Sequence, residues 1–185
     1  MWHGMLHVME PRRLLIVAGQ EGSGKSTIVR ALLAHTARGA QIDAEDVGQV
    51  NPWSYDDAFR ALHLRNVAAL AVNFWQAGYP TVLAASIVSN VDDLRALLAL
   101  LPRPVDVHVL QLVADKATRN QRRIARAKPT NSRDRDAVDE ADPEDHSLRD
   151  DAGADLSFTR VDNSRLDVEQ TVAAIIRALP EVFPS

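Results

Sequence analysis

One segment near the N-terminus constrains the fold more than any other part of the chain. Five apolar residues at 14–18 lead directly into a glycine-rich run that reads G-Q-E-G-S-G-K-S from residue 19. A helix-like stretch from Thr27 to Thr36 follows it. The order of strand, glycine loop and helix is the context that a phosphate-binding loop requires. The segment therefore predicts an α/β fold with a nucleoside triphosphate bound at the loop.

The residue types of this loop match what phosphate binding needs. Glycines let backbone N–H groups curl around phosphate oxygens along a path that a Cβ would resist. Lys25 is expected to reach the β- and γ-phosphates, and the Ser26 hydroxyl to hold Mg²⁺, while the helix N-terminus adds its positive end. The predicted nucleotide-binding residues of this segment are Gly19, Gly22, Ser23, Gly24, Lys25, Ser26 and Thr27.

Composition narrows the classes of protein that remain. The 185 residues fit one domain, and 46% hydrophobic with 25% charged residues is ordinary for a soluble globular protein. No stretch approaches the ~18 apolar residues of a membrane span. The absence of cysteine excludes disulfides and thiolate metal sites, and the net charge of −4 argues against a nucleic-acid partner. We expect a cytoplasmic monomer or homodimer that binds neither membranes nor nucleic acid.

Strand-like and helix-like segments alternate along the chain. Residues 1–12 look like an N-terminal extension, and 13–185 like one domain. The predicted strands are 14–18, 40–43, 81–85, 105–113 and 156–161, and the predicted helices are 26–37, 53–77, 91–101, 116–127 and 167–179. This alternation predicts a parallel five-stranded sheet with helices on both faces. Because ligands bind at the carboxyl ends of such strands, Gly19, Asp43 and Ser86 are expected to meet there.

Four arginines recur at helical spacing after the fourth predicted strand, at positions Arg119, Arg122, Arg123 and Arg126. Residues at i, i+3, i+4 and i+7 share one helix face. The polar segment that follows, about 126–151, is predicted to be a mobile lid. Arginines beside such a lid can stabilise the charge of a transferring phosphoryl group. The alternative is a solvated basic face, paired with the nine acids between Asp134 and Asp151.

Other sequence features distinguish the classes of phosphate-loop protein. A GTPase would need Asn-Lys-x-Asp, and none of the three lysines follows an asparagine. Asp115 follows a hydrophobic strand, as the Mg²⁺-binding carboxylate of motor ATPases does. However, it begins the arginine-rich helix, where a role as N-cap is favoured. A kinase is therefore the preferred interpretation, and a nucleotide-binding regulatory protein without turnover remains an alternative.

Candidate acceptor-binding residues follow the second predicted strand. Asp43 and Asp46 belong to a cluster of three acids within four residues, one of which is expected to be catalytic or to face a metal. Arg60 and His63 lie on the upper part of the long helix and can bind an anionic or hydroxylated acceptor. The alternatives are solvated carboxylates and a surface salt bridge from Asp56 to Arg60. The short interval between Asp43 and this helix favours a small metabolite.

The order of these motifs resembles small P-loop kinases of the nucleoside-monophosphate-kinase fold. The resemblance covers 13–179 and is greatest to the gluconate kinase, shikimate kinase and chloramphenicol phosphotransferase branch. The segments that carry it are Gly19–Thr27, Gln41–Asp46, Ala84–Ser86, Arg119–Arg126 and Val161–Ser164. It implies an ATP- and Mg²⁺-dependent enzyme that transfers the γ-phosphoryl group to a hydroxyl of a small metabolite. A nucleoside or nucleotide kinase is the alternative enzyme.

The resemblance also implies roles for individual residues on the nucleotide side. Arg119 would stack on adenine, and Arg123 or Arg126 would reach phosphate. The segment 162–165, which includes Asn163, would border the adenine pocket. Glu21 is atypical, because an anion inside the loop repels phosphate unless it points outward.

On the acceptor side, the resemblance implies a carboxylate that faces the substrate or Mg²⁺ at Asp43. Ser86 would match the hydroxyl-bearing strand end of gluconate kinases. The expected catalytic residues are Lys25, Asp43, Arg123 and Arg126, and the expected acceptor residues are Asp43, Asp46, Arg60, His63 and Ser86.

Overall fold

The structure is a computed structural model that describes residues 11–48, 50–52, 54, 56–126, 131–142, 147–150 and 156–184. Its strands are β1 (Arg13–Ala18), β2 (Gly39–Asp43), β3 (Thr81–Ala85), β4 (Asp106–Val113) and β5 (Leu156–Asp162). Its α-helices are α1 (Lys25–Leu33), α2 (Asp57–Gln76), α3 (Val91–Leu100), α4 (Lys116–Ala125), α5 (Ser132–Ala141), α6 (Ser147–Asp150) and α7 (Val168–Ala178). A single 3₁₀ turn, Ala44–Asp46, follows β2.

The five strands form one parallel sheet in the order β2-β3-β1-β4-β5. This confirms the predicted fold class, and every predicted strand lies within one residue of an observed one. The register pairs Val17 and Asp43 with opposite sides of Ala85. The loop after β1, the acid at the end of β2 and Ser86 after β3 therefore lie at the same edge of the sheet.

Apolar side chains on both faces of the sheet hold the helices in place. Leu14 and Ile16 face α2 and α3, while Leu15 and Val17 face α1 and α7. Each of these four side chains is fully buried, as the near-continuous apolar run of a central parallel strand predicts. Among the described helices, none combines the length and the apolar character that a membrane crossing needs.

Capping residues determine where several helices begin. The Asp56 carboxylate accepts the Phe59 N–H at 2.8 Å, so α2 begins at Asp57 rather than at residue 53. Asp115 accepts the Thr118 N–H at 2.7 Å and is the N-cap of α4, as the sequence analysis preferred. At the other end, α1 stops at Leu33, four residues before its predicted end.

The predicted lid, 126–151, contains more regular structure than its composition indicated. Its described residues include helices α5 and α6, and Leu148 of α6 is buried in the core beside α2 and α3. Within this segment, 127–130, 143–146 and 151 lie outside the described residues, as do 1–10 of the proposed N-terminal extension. The described part of the segment is therefore anchored to the core at one end.

The leucines of α3 offer a matched test of this packing. Leu97 is fully buried against the sheet, whereas Leu100 is 43% exposed. Leu97→Ala should lower the free energy of unfolding by about 2–5 kcal/mol because it leaves a cavity. Leu100→Ala should cost less than about 1 kcal/mol. Equal losses in urea denaturation would contradict the assigned face of α3.

Candidate functional site

The glycine loop between β1 and α1 follows a path that excludes side chains at two positions. Gly19 has a φ of 138°, and a Cβ there would lie 2.2 Å from the Leu112 carbonyl oxygen of β4. Gly22 has a φ of 84°, and its Cβ would lie 2.9 Å from the Arg119 carbonyl oxygen of α4. Both clashes involve backbone atoms that cannot move aside. The loop therefore lies directly against β4 and α4.

Lys25, at the start of α1, reaches back across this loop. Its Nζ donates hydrogen bonds to the carbonyl oxygens of Gly19 at 2.5 Å and Gln20 at 3.1 Å. Burial lowers the pKa of Lys25, and the nearby carboxylates of Asp142, Glu21 and Asp43 act in the opposite direction. The lysine is thus surrounded by acceptors and acids at the position predicted for phosphate.

A polar cavity of about 370 Å³ opens beside Lys25 at the carboxyl ends of the strands. Its lining includes Lys25, Arg60, Ser86, Ser89, Asn90 and Gln111. Ser86 has a φ of 61°, and among the described residues no other non-glycine residue has a positive φ. Its backbone N–H donates to the Val17 carbonyl at 3.2 Å, which holds this unusual conformation against β1. Gly19 and Ser86 therefore border one cavity, as the sequence predicted.

The structure separates the two candidate carboxylates after β2. Asp43 is only 8% exposed, accepts the Glu45 N–H at 3.3 Å, and lies close enough to Lys25 for its charge to raise the lysine pKa. It does not itself line the polar cavity. Asp46, at the end of the 3₁₀ turn, is exposed to solvent. Of the two candidates, it is Asp43 that lies near Lys25, the lysine of the phosphate loop.

Arg60 and His63 occupy different environments, although both lie on α2. Arg60 lines the polar cavity, and its Nη2 forms an ion pair with Asp93 Oδ1 of α3 at 2.5 Å. The Asp56 carboxylate instead bonds the Ser54 hydroxyl and the Phe59 N–H, so the alternative Asp56–Arg60 pair is not observed. His63 borders a separate small cavity beneath Arg60, where burial lowers its pKa. The structure thus brings Arg60, but not His63, to the polar cavity.

A second cavity, of about 430 Å³, lies on the other side of the loop. Gly22, Gly24 and Thr27 border it from the loop and α1, and its apolar lining includes Ile28, Ala125, Leu166 and Val168. Asn163, after β5, is 2% exposed and donates from Nδ2 to the Ser23 carbonyl at 3.0 Å. Arg122 donates to the same carbonyl at 2.9 Å. These contacts join the loop to α4 and to the end of β5.

The four arginines of the predicted stripe divide into two pairs. Arg122 and Arg126 line the second cavity. Arg119 and Arg123 are 7% and 4% exposed, and both contact Asp139 of α5, at 3.1 and 2.9 Å. The Arg119 guanidinium, for which stacking on adenine was predicted, also donates to the Ala114 carbonyl and does not line the cavity. For Arg119 and Arg123 the expected alternative of a solvated face is wrong, whereas the pairing with acids of 134–151 that it included is observed at Asp139.

Asp139 balances the charge of the buried arginine pair. Burial raises the pKa of Asp139, but hydrogen bonds from Arg119 and Arg123 and their charges outweigh it and hold the pKa below its ordinary value. The Nε atoms of both arginines are buried, and among the described residues neither has a hydrogen-bond partner. The two Nε–H groups could therefore donate hydrogen bonds to a further acceptor beside Asp139.

Helix α5 also contacts the loop through its last residues. Asp142 Oδ2 accepts the Glu21 N–H at 2.8 Å, and the Asp142 carbonyl accepts from Gln20 Nε2 at 2.8 Å. The Glu21 carboxylate itself forms an ion pair with Arg126 at 3.5 Å. The sequence named Asp139 and Asp142 only as members of the nine acids that could pair with the arginine stripe, and no pattern distinguished these two from the other acids.

The residues present fit a magnesium ion that arrives with a nucleotide rather than a resident metal. Within the described parts of the chain, no group of three or more metal-binding side chains comes together. Ser26 is half-buried at the second position of α1, and the charge of Asp43 acts on Lys25, the residue before it. Mg²⁺ is commonly held by one or two protein oxygens, several waters and substrate phosphates. Ser26 and Asp43 supply oxygens of that kind.

Comparison with solved structures gives the same architecture in proteins of distant sequence. A sugar kinase from a Janibacter species superposes with a TM-score of 0.68 at 19% identity, over 95% of this chain and 100% of that one. A gluconokinase from Sinorhizobium meliloti gives 0.64 at 14% identity, over 95% and 94%. Thymidylate kinase from Candida albicans gives 0.60 at 14% identity, over 92% of each chain. This chain has the fold of the P-loop kinases.

No protein-family model and no curated protein matches the sequence. The P-loop kinase fold is therefore visible in the architecture, whereas at 14–19% identity the sequences have diverged. In this P-loop kinase fold, the loop after β1, the arginines of α4 and the acids of α5 form one continuous polar site.

The contact between α4 and α5 leads to a prediction about Asp139. Asp139→Asn should speed amide hydrogen exchange of 132–141 by at least about tenfold, because it leaves two buried arginines without their carboxylate. Asp136→Asn is the control, since its ion pair with Lys116 is more than half exposed on both side chains and worth ~0–1 kcal/mol. Equal exchange in the two variants would contradict the assigned role of Asp139.

The same contact should depend on pH in a defined direction. Because folding lowers the pKa of Asp139, its stabilising effect is present above the ordinary carboxyl pKa and is lost as the pH falls below it. Exchange of 132–141 should therefore become faster on acidification in the parent protein, after correction for intrinsic rates, and change less in Asp139→Asn. A parent protein without this extra acid dependence would contradict the pairing.

Proposed function

We propose that this protein is an ATP-dependent phosphotransferase that moves the γ-phosphoryl group to a hydroxyl of a small metabolite. The observation that carries the proposal is the position of the glycine loop between two cavities. Gly22, Gly24 and Thr27 border the more apolar cavity, and Gly19 and Lys25 border the polar one. A phosphate chain lying on this loop would connect a nucleoside on one side with an acceptor on the other.

The nucleoside side of the proposal rests on the second cavity. Its apolar residues suit a purine ring, and Arg122 lies beside them with its guanidinium bonded to Asn163 Oδ1 at 3.1 Å. Stacking of a base on an arginine plane is favourable. In this proposal Arg122 takes the place that the sequence analysis gave to Arg119. Arg126, which lines the same cavity, and the N-terminus of α1 then contact the phosphates.

The acceptor side rests on the size and polarity of the first cavity. About 370 Å³ lined by Arg60, Ser86, Ser89 and Asn90 suits a small molecule with several hydroxyls or an acidic group. The sugar kinase and the gluconokinase named above support this class. The thymidylate kinase keeps a nucleotide acceptor as the second candidate. The hydroxyl of Ser86, where nucleotide kinases have Asp-Gly, favours the first.

The chemistry follows from the groups around Lys25. The acceptor oxygen attacks the γ-phosphorus, the bond from that phosphorus to the β-γ bridging oxygen breaks, and ADP leaves with the electron pair. In this proposal Asp43, whose charge acts on Lys25, accepts the hydrogen bond and then the proton of the hydroxyl. Lys25 neutralises charge on the leaving phosphates, with Arg123 and Arg126 as further cations. Mg²⁺ bound with the nucleotide would be held by Ser26 and would screen the phosphate charge. Holding this ion through water is the alternative role of Asp43.

The direct test of this function is acceptor-dependent consumption of ATP. Purified protein with Mg²⁺ and ATP should release ADP only when a panel of sugars, sugar acids and other hydroxylated metabolites is added. Hydrolysis without any acceptor would favour an ATPase. Tight binding of ATP without turnover on any panel member would favour the regulatory alternative. Turnover with nucleoside monophosphates alone would identify the second candidate.

Lys25 provides the first prediction for the reaction. Lys25→Ala should lower kcat by about 10²–10³ because the charge that stabilises the transition state is removed. Lys116→Ala is the matched control, since Lys116 is 57% exposed and lies outside both cavities. Steady-state assays should leave the control near the parent rate. An active Lys25→Ala variant would overturn the proposed role of the loop.

The two acids after β2 provide the second prediction. Asp43→Asn retains an N-cap for the 3₁₀ turn but removes the charge, so kcat should fall by about 10²–10⁴ if Asp43 is the general base. Asp46→Asn, at an exposed position, should be nearly silent. Both variants should bind ATP like the parent protein in calorimetry. A loss of activity confined to Asp46→Asn would move the role to Asp46.

A further inference from the structure

A carboxylate of the chain itself occupies a hydrogen-bonding position on the glycine loop. Asp142 Oδ2 accepts the Glu21 N–H at 2.8 Å, and Glu21 is the third residue of the loop. The Gln20 Nε2 group also donates a hydrogen bond to the Asp142 carbonyl oxygen at 2.8 Å, so two hydrogen bonds join Asp142 to the loop. Asp142 also borders the polar cavity together with Gly19 and Lys25. A negative oxygen therefore lies on the surface that the proposed function gives to phosphate.

The same helix engages the arginines of α4 with a second carboxylate. Asp139, in the last turn of α5 and three residues before the C-cap Asp142, contacts Arg119 Nη2 at 3.1 Å and Arg123 Nη1 at 2.9 Å. Arg123 in turn donates to the Glu21 carbonyl at 2.8 Å. Helix α5 thus places one acid on the loop and one on the buried arginines, which are the two groups that phosphates would use.

We propose that Asp142 acts as an internal substitute for a phosphate group, so that α5 must leave the loop before a nucleoside triphosphate binds there. This inference rests on the proposed function only in that the loop is the triphosphate site. A carboxylate and a phosphate oxygen cannot accept the same Glu21 N–H at the same time. Asp142 is therefore a competitor that lowers the affinity for ATP and leaves unchanged the affinity for a ligand that carries no phosphate.

The competition has a defined thermodynamic form. Only the fraction of molecules with α5 away from the loop is competent to bind triphosphate, so the apparent dissociation constant is the intrinsic one divided by that fraction. A variant that weakens the Asp142 contact increases the competent fraction and therefore lowers the apparent dissociation constant for ATP. Adenosine, which would occupy the second cavity without reaching the Glu21 N–H, should be indifferent to the change.

Calorimetric titration of three variants tests the inference. Asp142→Asn removes the charge and Asp142→Ala removes the acceptor, and each should bind ATP about tenfold more tightly than the parent protein, as loss of a charge-assisted hydrogen bond predicts. Glu140→Gln is the matched control, because it makes the same change of charge at an exposed position of α5. It should bind ATP like the parent. Adenosine affinity should be the same in all four proteins.

A second readout separates competition from damage to the fold. Without nucleotide, the amides of 132–141 should exchange faster in both Asp142 variants than in Glu140→Gln, while the melting temperatures stay within a few degrees. Unchanged or weaker ATP binding by the Asp142 variants, with the parent still binding ATP, would overturn the inference and leave the proposed function standing. Failure of every protein to bind ATP would overturn both.

Discussion

The close approach of the glycine loop to β4 and α4 is the constraint on which the site depends. Without side chains at Gly19 and Gly22, the loop backbone contacts the carbonyl of Leu112 and the backbone of Arg119. That contact brings the arginines of α4 to the loop and places the two cavities on its opposite sides. A Cβ at Gly19 would push the loop away from β4, and a Cβ at Gly22 would push it away from α4 and its arginines.

Charge balance explains why an acidic segment follows an arginine-rich helix. Buried arginines without partners would be strongly destabilising, and a lysine surrounded by loop carbonyls needs neighbouring negative charge. Asp139 and Asp142 supply it from one helix, and Glu21 supplies it to Arg126. An acid inside a phosphate loop is thus reconciled with phosphate binding, because its side chain forms an ion pair with an arginine of the second cavity. In the proposed mechanism these acids neutralise the site when phosphate is absent.

The sheet, its helices and the loop were predictable from sequence because their signals are local: apolar runs, glycines and caps. Helix α5 was not, since Asp139 is held by an ion pair with an arginine 20 positions away, and Asp142 by a backbone N–H that lies 121 positions away. The same reason explains the arginine stripe. Helical spacing places Arg119 and Arg122 close together. Tertiary contacts then determine that Arg119 pairs with Asp139, whereas Arg122 lines the second cavity. Likewise, Arg60 lines the polar cavity, whereas His63, about one turn further along α2, does not.

The central claim is that the loop is a phosphate cradle whose occupant in the free protein is α5. Backbone amide NMR during titration with ATP and Mg²⁺ tests it most directly, since it observes loop and helix in one experiment. The account predicts that resonances of 19–26 and of 132–142 shift together and saturate at the same ATP concentration, because one group leaves as the other binds. Loop resonances that stay fixed, or that move while those of α5 do not, would contradict it.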